Sequence, residues 1–110
     1  MLRSPQAFER VFRAGRFTVK DHLVMHFAPN ETELTRFGLV LAGKVAVAAR
    51  RNLLRRRMRE ILRSLLPRIQ PGYDVVFVLR QDTGESFAAL KAKLMYLLAV
   101  RGLLQEAEGR

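Results

Sequence analysis

Apolar residues change their spacing several times along the chain, and each change predicts an element. Phe8, Val11 and Phe12 recur at i, i+3 and i+4, one face of a helix. Ser4 and Pro5 just before them suit an N-cap and a first helical position, and Gly15 suits the left-handed residue that ends a helix. Residues 17–28 then alternate as a strand does, with Leu23, Met25 and Phe27 on one face and Val24 and His26 on the other. That stretch is long enough for one strand or the ends of two. The polar run 29–34 predicts a turn, and with residues 36–42 as the returning strand it predicts a hairpin.

Residues 50–66 return to helical spacing. Leu54, Met58, Ile61, Leu62 and Leu65 form one stripe, and Asn52, Arg55, Arg56, Arg59 and Arg63 project from the opposite side. Pro67 and the pair Pro71–Gly72 end this helix. Residues 73–79 are a nearly unbroken run of β-formers, which predicts a strand covered on both faces. A last helix is predicted from about Ser86 to Val100, with Phe87, Leu90, Leu94, Leu97 and Leu98 inward and Gly102 closing it. The order α-β-β-β-α-β-α predicts an α+β two-layer sandwich. Residues 1–104 form one expected domain, and 105–110 are a polar tail.

Composition narrows the chemistry. The chain has 110 residues, 49% hydrophobic and 27% charged, which is globular rather than disordered. It has no cysteine, which removes disulfides, thiolate metal sites and cysteine nucleophiles. No apolar run approaches the roughly 18 residues of a membrane span, and the charged N-terminus is unlike a signal peptide. A cytoplasmic protein is expected. Twenty basic residues face ten acidic ones, a net charge of +10, and most of the bases are Arg. Such a balance points to a polyanion, and the planar fork of Arg favours nucleic acid.

The charge is concentrated. Residues 50–63 hold seven Arg and one Glu. Arg51, Arg55, Arg59 and Arg63 follow each other at i, i+4, where like charges repel by a few tenths of a kcal/mol per pair. Phosphates would turn that repulsion into attraction and release counterions. The plainer reading is a solvated helix face, since Arg is a good helix former.

At this window the chain resembles the bacterial ribonuclease P protein component. Lys44-Val45, Arg51-Asn52, Arg55-Arg56 and Arg59-Glu60 are similar to the family's basic signature. Residues 8–16 resemble its Phe-x-x-Val-Phe-x-x-Gly opening, 37–41 its Gly-Leu strand, and 71–80 the strand after the basic helix. The chain departs from the pattern at Leu53, where a third signature Arg is usual, at Gly43, where a second base is usual, and at Ala46, where Gly is frequent.

The resemblance implies a mostly antiparallel mixed four-stranded sheet, similar to the second domain of ribosomal protein S5, with a left-handed βαβ crossover. It implies the non-catalytic subunit of an endoribonuclease, in which a catalytic RNA with Mg²⁺ removes the 5′ leader of precursor tRNA. The expected partners are that RNA and the precursor, with no membrane and no obligate protein partner. The expected RNA-binding residues are Lys44, Arg50, Arg51, Asn52, Arg55, Arg56, Arg59 and Arg63. The expected leader-binding residues are Phe8, Phe12, Val24 and His26, where His26 stands at a frequent Tyr position. Aromatic platforms beside basic groups are how single-stranded RNA is gripped. For Phe8 and Phe12, core packing is the competing reading.

No residue is expected to be catalytic and none to hold a metal. His22 and His26 would lie about 13 Å apart along one strand, too far to share an ion. Asp21, Asp74 and Asp82 are scattered, and Asp74 is expected to serve the turn into its strand. Alternatives remain open: a general RNA-binding module such as a ribosomal protein or RNA chaperone, a DNA-binding protein with an Arg helix in the major groove, and a basic amphipathic helix on a membrane surface.

Overall fold

The computed structural model describes residues 1–43, 45, 47–82 and 84–105. In chain order the elements are α1 (Pro5–Ala14), β1 (Phe17–Lys20), β2 (Leu23–Pro29), β3 (Arg36–Leu41), α2 (Ala48–Leu65), a 3₁₀ turn (Leu66–Arg68), β4 (Tyr73–Leu79) and α3 (Phe87–Val100). Local chemistry explains their ends. Ser4 Oγ accepts the N–H groups of Gln6 and Ala7 at 3.1 and 3.3 Å, capping α1, and Gly15 ends it at φ 76°. Ser86 Oγ accepts the Ala89 N–H at the start of α3.

The stretch 17–28 holds two strands. Asp21 adopts φ 56°, and with His22 it turns the chain between β1 and β2. These strands pair antiparallel, Phe17 opposite His26 and Val19 opposite Val24.

The sheet order is β1-β2-β4-β3, with β2 and β4 antiparallel and β3 and β4 parallel. The predicted hairpin between β2 and β3 is therefore corrected: β4 lies between them. Strand β4 is apolar on both faces, with Val75, Val76 and Phe77 fully buried, so an interior position suits it. The connecting loop is tied to the entry of β4 instead. The Asn30 backbone N–H donates to Gly72 O at 2.8 Å, and Asn30 Nδ2 donates to Asp74 Oδ1 at 2.9 Å. Asp74 is buried and also takes a two-pronged contact from Arg36, at 2.9 and 2.8 Å. Its role thus extends from the turn to the edge strand.

Helices α2 and α3 cover one face of the sheet. Leu54, Met58, Ile61, Leu62 and Leu65 meet Leu90, Leu94, Leu97 and Leu98 over Met25, Val75 and Phe77. Phe87, expected inward, is 40% exposed: it is the first residue of α3 and lies past the end of the buried stripe. Helix α1 covers only part of the opposite face, where Ala7 and Val11 pack with Leu2 and Val76. No helix among the described residues is long and apolar enough to cross a membrane. Of the polar tail, residues 106–110 lie outside the described residues; Gln105 donates its backbone N–H to Arg68 O.

Candidate nucleic-acid interface

Helix α2 turns its apolar stripe to the core and leaves the opposite side to solvent. Asn52, Arg56, Arg59 and Arg63 are exposed there and Arg55 is half-exposed. Among the described residues, none of Arg55, Arg56, Arg59 and Arg63 belongs to an ion pair. The outward face is thus a run of cations in no ion pair among the described residues, with Glu60 the one acid on the helix.

Two other expected RNA-binding residues are engaged inside the protein. Arg50 makes a two-pronged contact to Asp82, Nε to Oδ2 at 2.7 Å and Nη2 to Oδ1 at 3.1 Å. This holds the start of α2 to the segment after β4. It also supplies negative charge to a helix N-terminus with no acid in its first turn and no side-chain cap. The guanidinium depresses the Asp82 pKa below the usual carboxylate value, helped by the Gly84 N–H, and Asp82 raises that of Arg50. Arg51 donates to three backbone carbonyls, Nη1 to Ala42 O (2.7 Å) and Val45 O (3.1 Å) and Nη2 to Leu41 O (3.0 Å). It brackets the connection from β3 to α2. Lys44 and Ala46, which belong to that connection, lie outside the described residues. Leu53 is half-buried, and Gly43 has open space where a side chain would extend.

On the other face of the sheet, the register lines up two rows. One runs Phe17–His26–Val76–Gly38 and the other Val19–Val24–Val78–Val40. Helix α1 covers the Val76 and Gly38 end. The remainder forms an open groove of about 290 Å³ lined by Phe17, Val19, Val24, His26, Val78 and Arg80. Phe12, 40% exposed, stands edge-on to His26 with centroids 4.8 Å apart, and Phe17 lies 5.8 Å from the same ring. His26 Nδ1 is buried without a hydrogen-bond partner among the described residues. Burial alone lowers the His26 pKa from 6.5, which favours the neutral ring.

Three of the four expected leader residues therefore meet: Phe12, Val24 and His26. Phe8 does not reach the groove; its ring is half-buried against Gly38. His22 sits in the turn, away from His26. Sequence reasoning missed Phe17, Val19, Val78 and Arg80. Phe17 and Val19 are 51% and 50% exposed, so the groove presents apolar surface to solvent. The signal for Phe17 and Val19 was the Asp21–His22 turn, because a turn there makes them cross-strand neighbours of His26 and Val24. Arg101 fixes this edge strand, donating to Thr18 Oγ1 and to Phe17 O, with its guanidinium 5.4 Å from the Phe27 ring.

Comparison with known proteins agrees with this geometry. The family model for ribonuclease P matches residues 1–101. The ribonuclease P protein component of Roseiflexus castenholzii is 38% identical over 108 residues, covering 96% of this chain and 88% of that protein. The counterpart from Chloroflexus aurantiacus is 43% identical over 79 residues, 72% of this chain and 58% of that one. Among solved structures, the Thermotoga maritima RNase P protein in complex with 1-(4-fluorophenyl)-2-thiourea superposes with a TM-score of 0.81 at 30% identity, covering 89% of this chain and 96% of that one. The Staphylococcus aureus RNase P protein, at 20% identity, shares the fold with a TM-score of 0.85 over 94% of this chain and 96% of its own. With the basic helix on one side of the sheet and the aromatic groove on the other, these matches place the chain in the ribonuclease P protein component family.

Proposed function

We propose that the chain assists a catalytic RNA in removing the 5′ leader of precursor tRNA, with α2 on the RNA and the groove on the leader. The observation that carries this reading is the pairing of two unlike surfaces on opposite faces of one thin sheet. Arg55, Arg56, Arg59 and Arg63 offer a dense run of positive charge to crowded phosphates, and Asn52 adds a neutral donor. Each neutralised phosphate releases counterions, so binding weakens steeply with salt. Lys44 is proposed as a further RNA contact from its place in the signature alone. Arg50 and Arg51 contribute by holding the ends of the crossover.

In the groove, Phe12, Phe17 and His26 give unstacked bases flat apolar surfaces, and Arg80 gives a phosphate an anchor. Mg²⁺ enters with the RNA. The protein's part is to raise substrate affinity and lower the Mg²⁺ concentration the RNA needs.

The test is cleavage of precursor tRNA by a bacterial ribonuclease P RNA at low Mg²⁺, with and without this chain, mapping the new 5′ end. Cleavage at the mature end only with the protein supports the proposal. Tight, salt-sensitive RNA binding without stimulation would leave a general RNA-binding module instead.

A further inference from the structure

A second concave surface lies at the C-terminal end of α2, away from the groove. It is a pocket of about 220 Å³ between the last turns of α2 and the start of β3. Phe37 and Leu62, both buried, make its floor, and Leu66, 44% exposed, makes a wall. Arg36, Arg59 and Arg63 stand around it. Asp74 grips Arg36 at two points, so one cation on the rim is rigid. Arg59 and Arg63 enter no ion pair among the described residues.

We infer that this pocket receives one unpaired nucleotide of the bound RNA, its base against Leu62, Leu66 and Phe37 and its phosphates on Arg59 and Arg63. The inference rests on the proposed function and adds a site to it. An apolar floor inside a ring of arginines asks for a ligand that is flat and apolar in one part and anionic in another. A nucleotide has both parts. A second copy of the chain, itself carrying +10, is repelled by the same arginines. The pocket also continues the exposed face of α2, since Arg59 and Arg63 belong to both. A base within a regular RNA helix stays stacked, so only a looped or bulged nucleotide can enter.

The experiment compares the wild-type chain with Leu66→Ser and Arg63→Ala on a bacterial ribonuclease P RNA. Base reactivity is probed with dimethyl sulfate and a carbodiimide. Leu66 is exposed in a 3₁₀ turn, and circular dichroism checks that the variant folds. The expected result is one or two unpaired bases protected by the wild-type chain and exposed again by Leu66→Ser, with affinity about three- to tenfold weaker. Arg63→Ala should expose the same bases and also flatten the salt dependence.

A wild-type footprint and affinity for Leu66→Ser would overturn the inference while leaving the proposed function intact. Failure of the wild-type chain to bind the RNA would overturn both. The chain has no cysteine, so Leu66→Cys provides a unique thiol. Slower iodoacetamide alkylation of that thiol with RNA, and not with a Glu/Leu peptide, supports a nucleotide. The reverse would assign the pocket to an acidic protein segment and overturn the inference.

Discussion

The ring of Phe8 rests directly on the backbone of Gly38: a Cβ at residue 38 would fall 2.5 Å from Cε1 and 2.7 Å from Cζ of that ring. This approach seats α1 on the sheet, and α1 in turn holds Phe12 against His26 at the margin of the groove. Gly38→Ala forces the ring aside and should cost about 1–3 kcal/mol. Because both residues share one contact, Gly38→Ala combined with Phe8→Ala should cost less than the sum of the two single changes. Urea denaturation of the four proteins measures both quantities. Additive losses would mean that the contact does not seat the helix.

Arg51 and Arg59 are eight residues apart on α2 and should fail in opposite ways. Arg51 serves three carbonyls, and Arg59 serves none among the described residues. Arg51→Ala leaves three acceptors without their charged donor and should lower stability by about 1.5–3 kcal/mol. Arg51→Lys should restore little, because a point charge cannot reproduce the fork. Arg59→Ala should leave stability within about 0.5 kcal/mol and reduce the slope of log affinity against log salt by about 0.7–0.9. Equilibrium denaturation and an RNA titration at several salt concentrations separate the two.

Phe17 tests the groove without disturbing the fold. It is 51% exposed on an edge strand, so Phe17→Ala should leave stability within about 0.5 kcal/mol. Loss of one stacking surface should weaken binding of precursor tRNA by about 1–3 kcal/mol. Mature tRNA, which has no leader, should bind the variant holoenzyme as it binds the wild type. An equal loss for both ligands would remove the groove from leader recognition.

What the sequence could and could not reveal follows from the range of each interaction. Helix α2 was legible because one amphipathic period sets both its buried stripe and its basic face. The partner of β3 was not, because the turn-like residues 29–34 look the same whether the next strand pairs beside β2 or crosses to the far edge. Its placement depends on β4, more than thirty residues later. Phe17 and Val19, two of the six residues lining the groove, were hidden for a local reason: a non-glycine residue at positive φ, Asp21, divides an alternating stretch that otherwise looks continuous. Arg51 was hidden in another way. Within a basic run, an arginine turned inward to backbone carbonyls carries the same letter as one turned out to phosphate.

His26 gives the fold a pH dependence whose sign is set by burial. Its ring lies under the edge of Phe12 and beside Phe17, and among the described residues no carboxylate stabilises the imidazolium. The native pKa therefore lies below the ordinary 6.5. As pH falls through 6.5 the unfolded chain takes up this proton first. Stability due to His26 is complete above that value, declines between it and the native pKa, and is fully lost below the native pKa. An NMR titration of the His26 ring should give a midpoint under 6.5. Denaturation midpoints between about pH 5 and 7 should depend less on pH in His26→Phe, which keeps the aromatic contact and removes the titrating group. A midpoint at or above 6.5, or an unchanged pH dependence in the variant, would show that the imidazolium is accommodated in the groove. The ring would then meet the leader as a cation instead of as a neutral stacking surface.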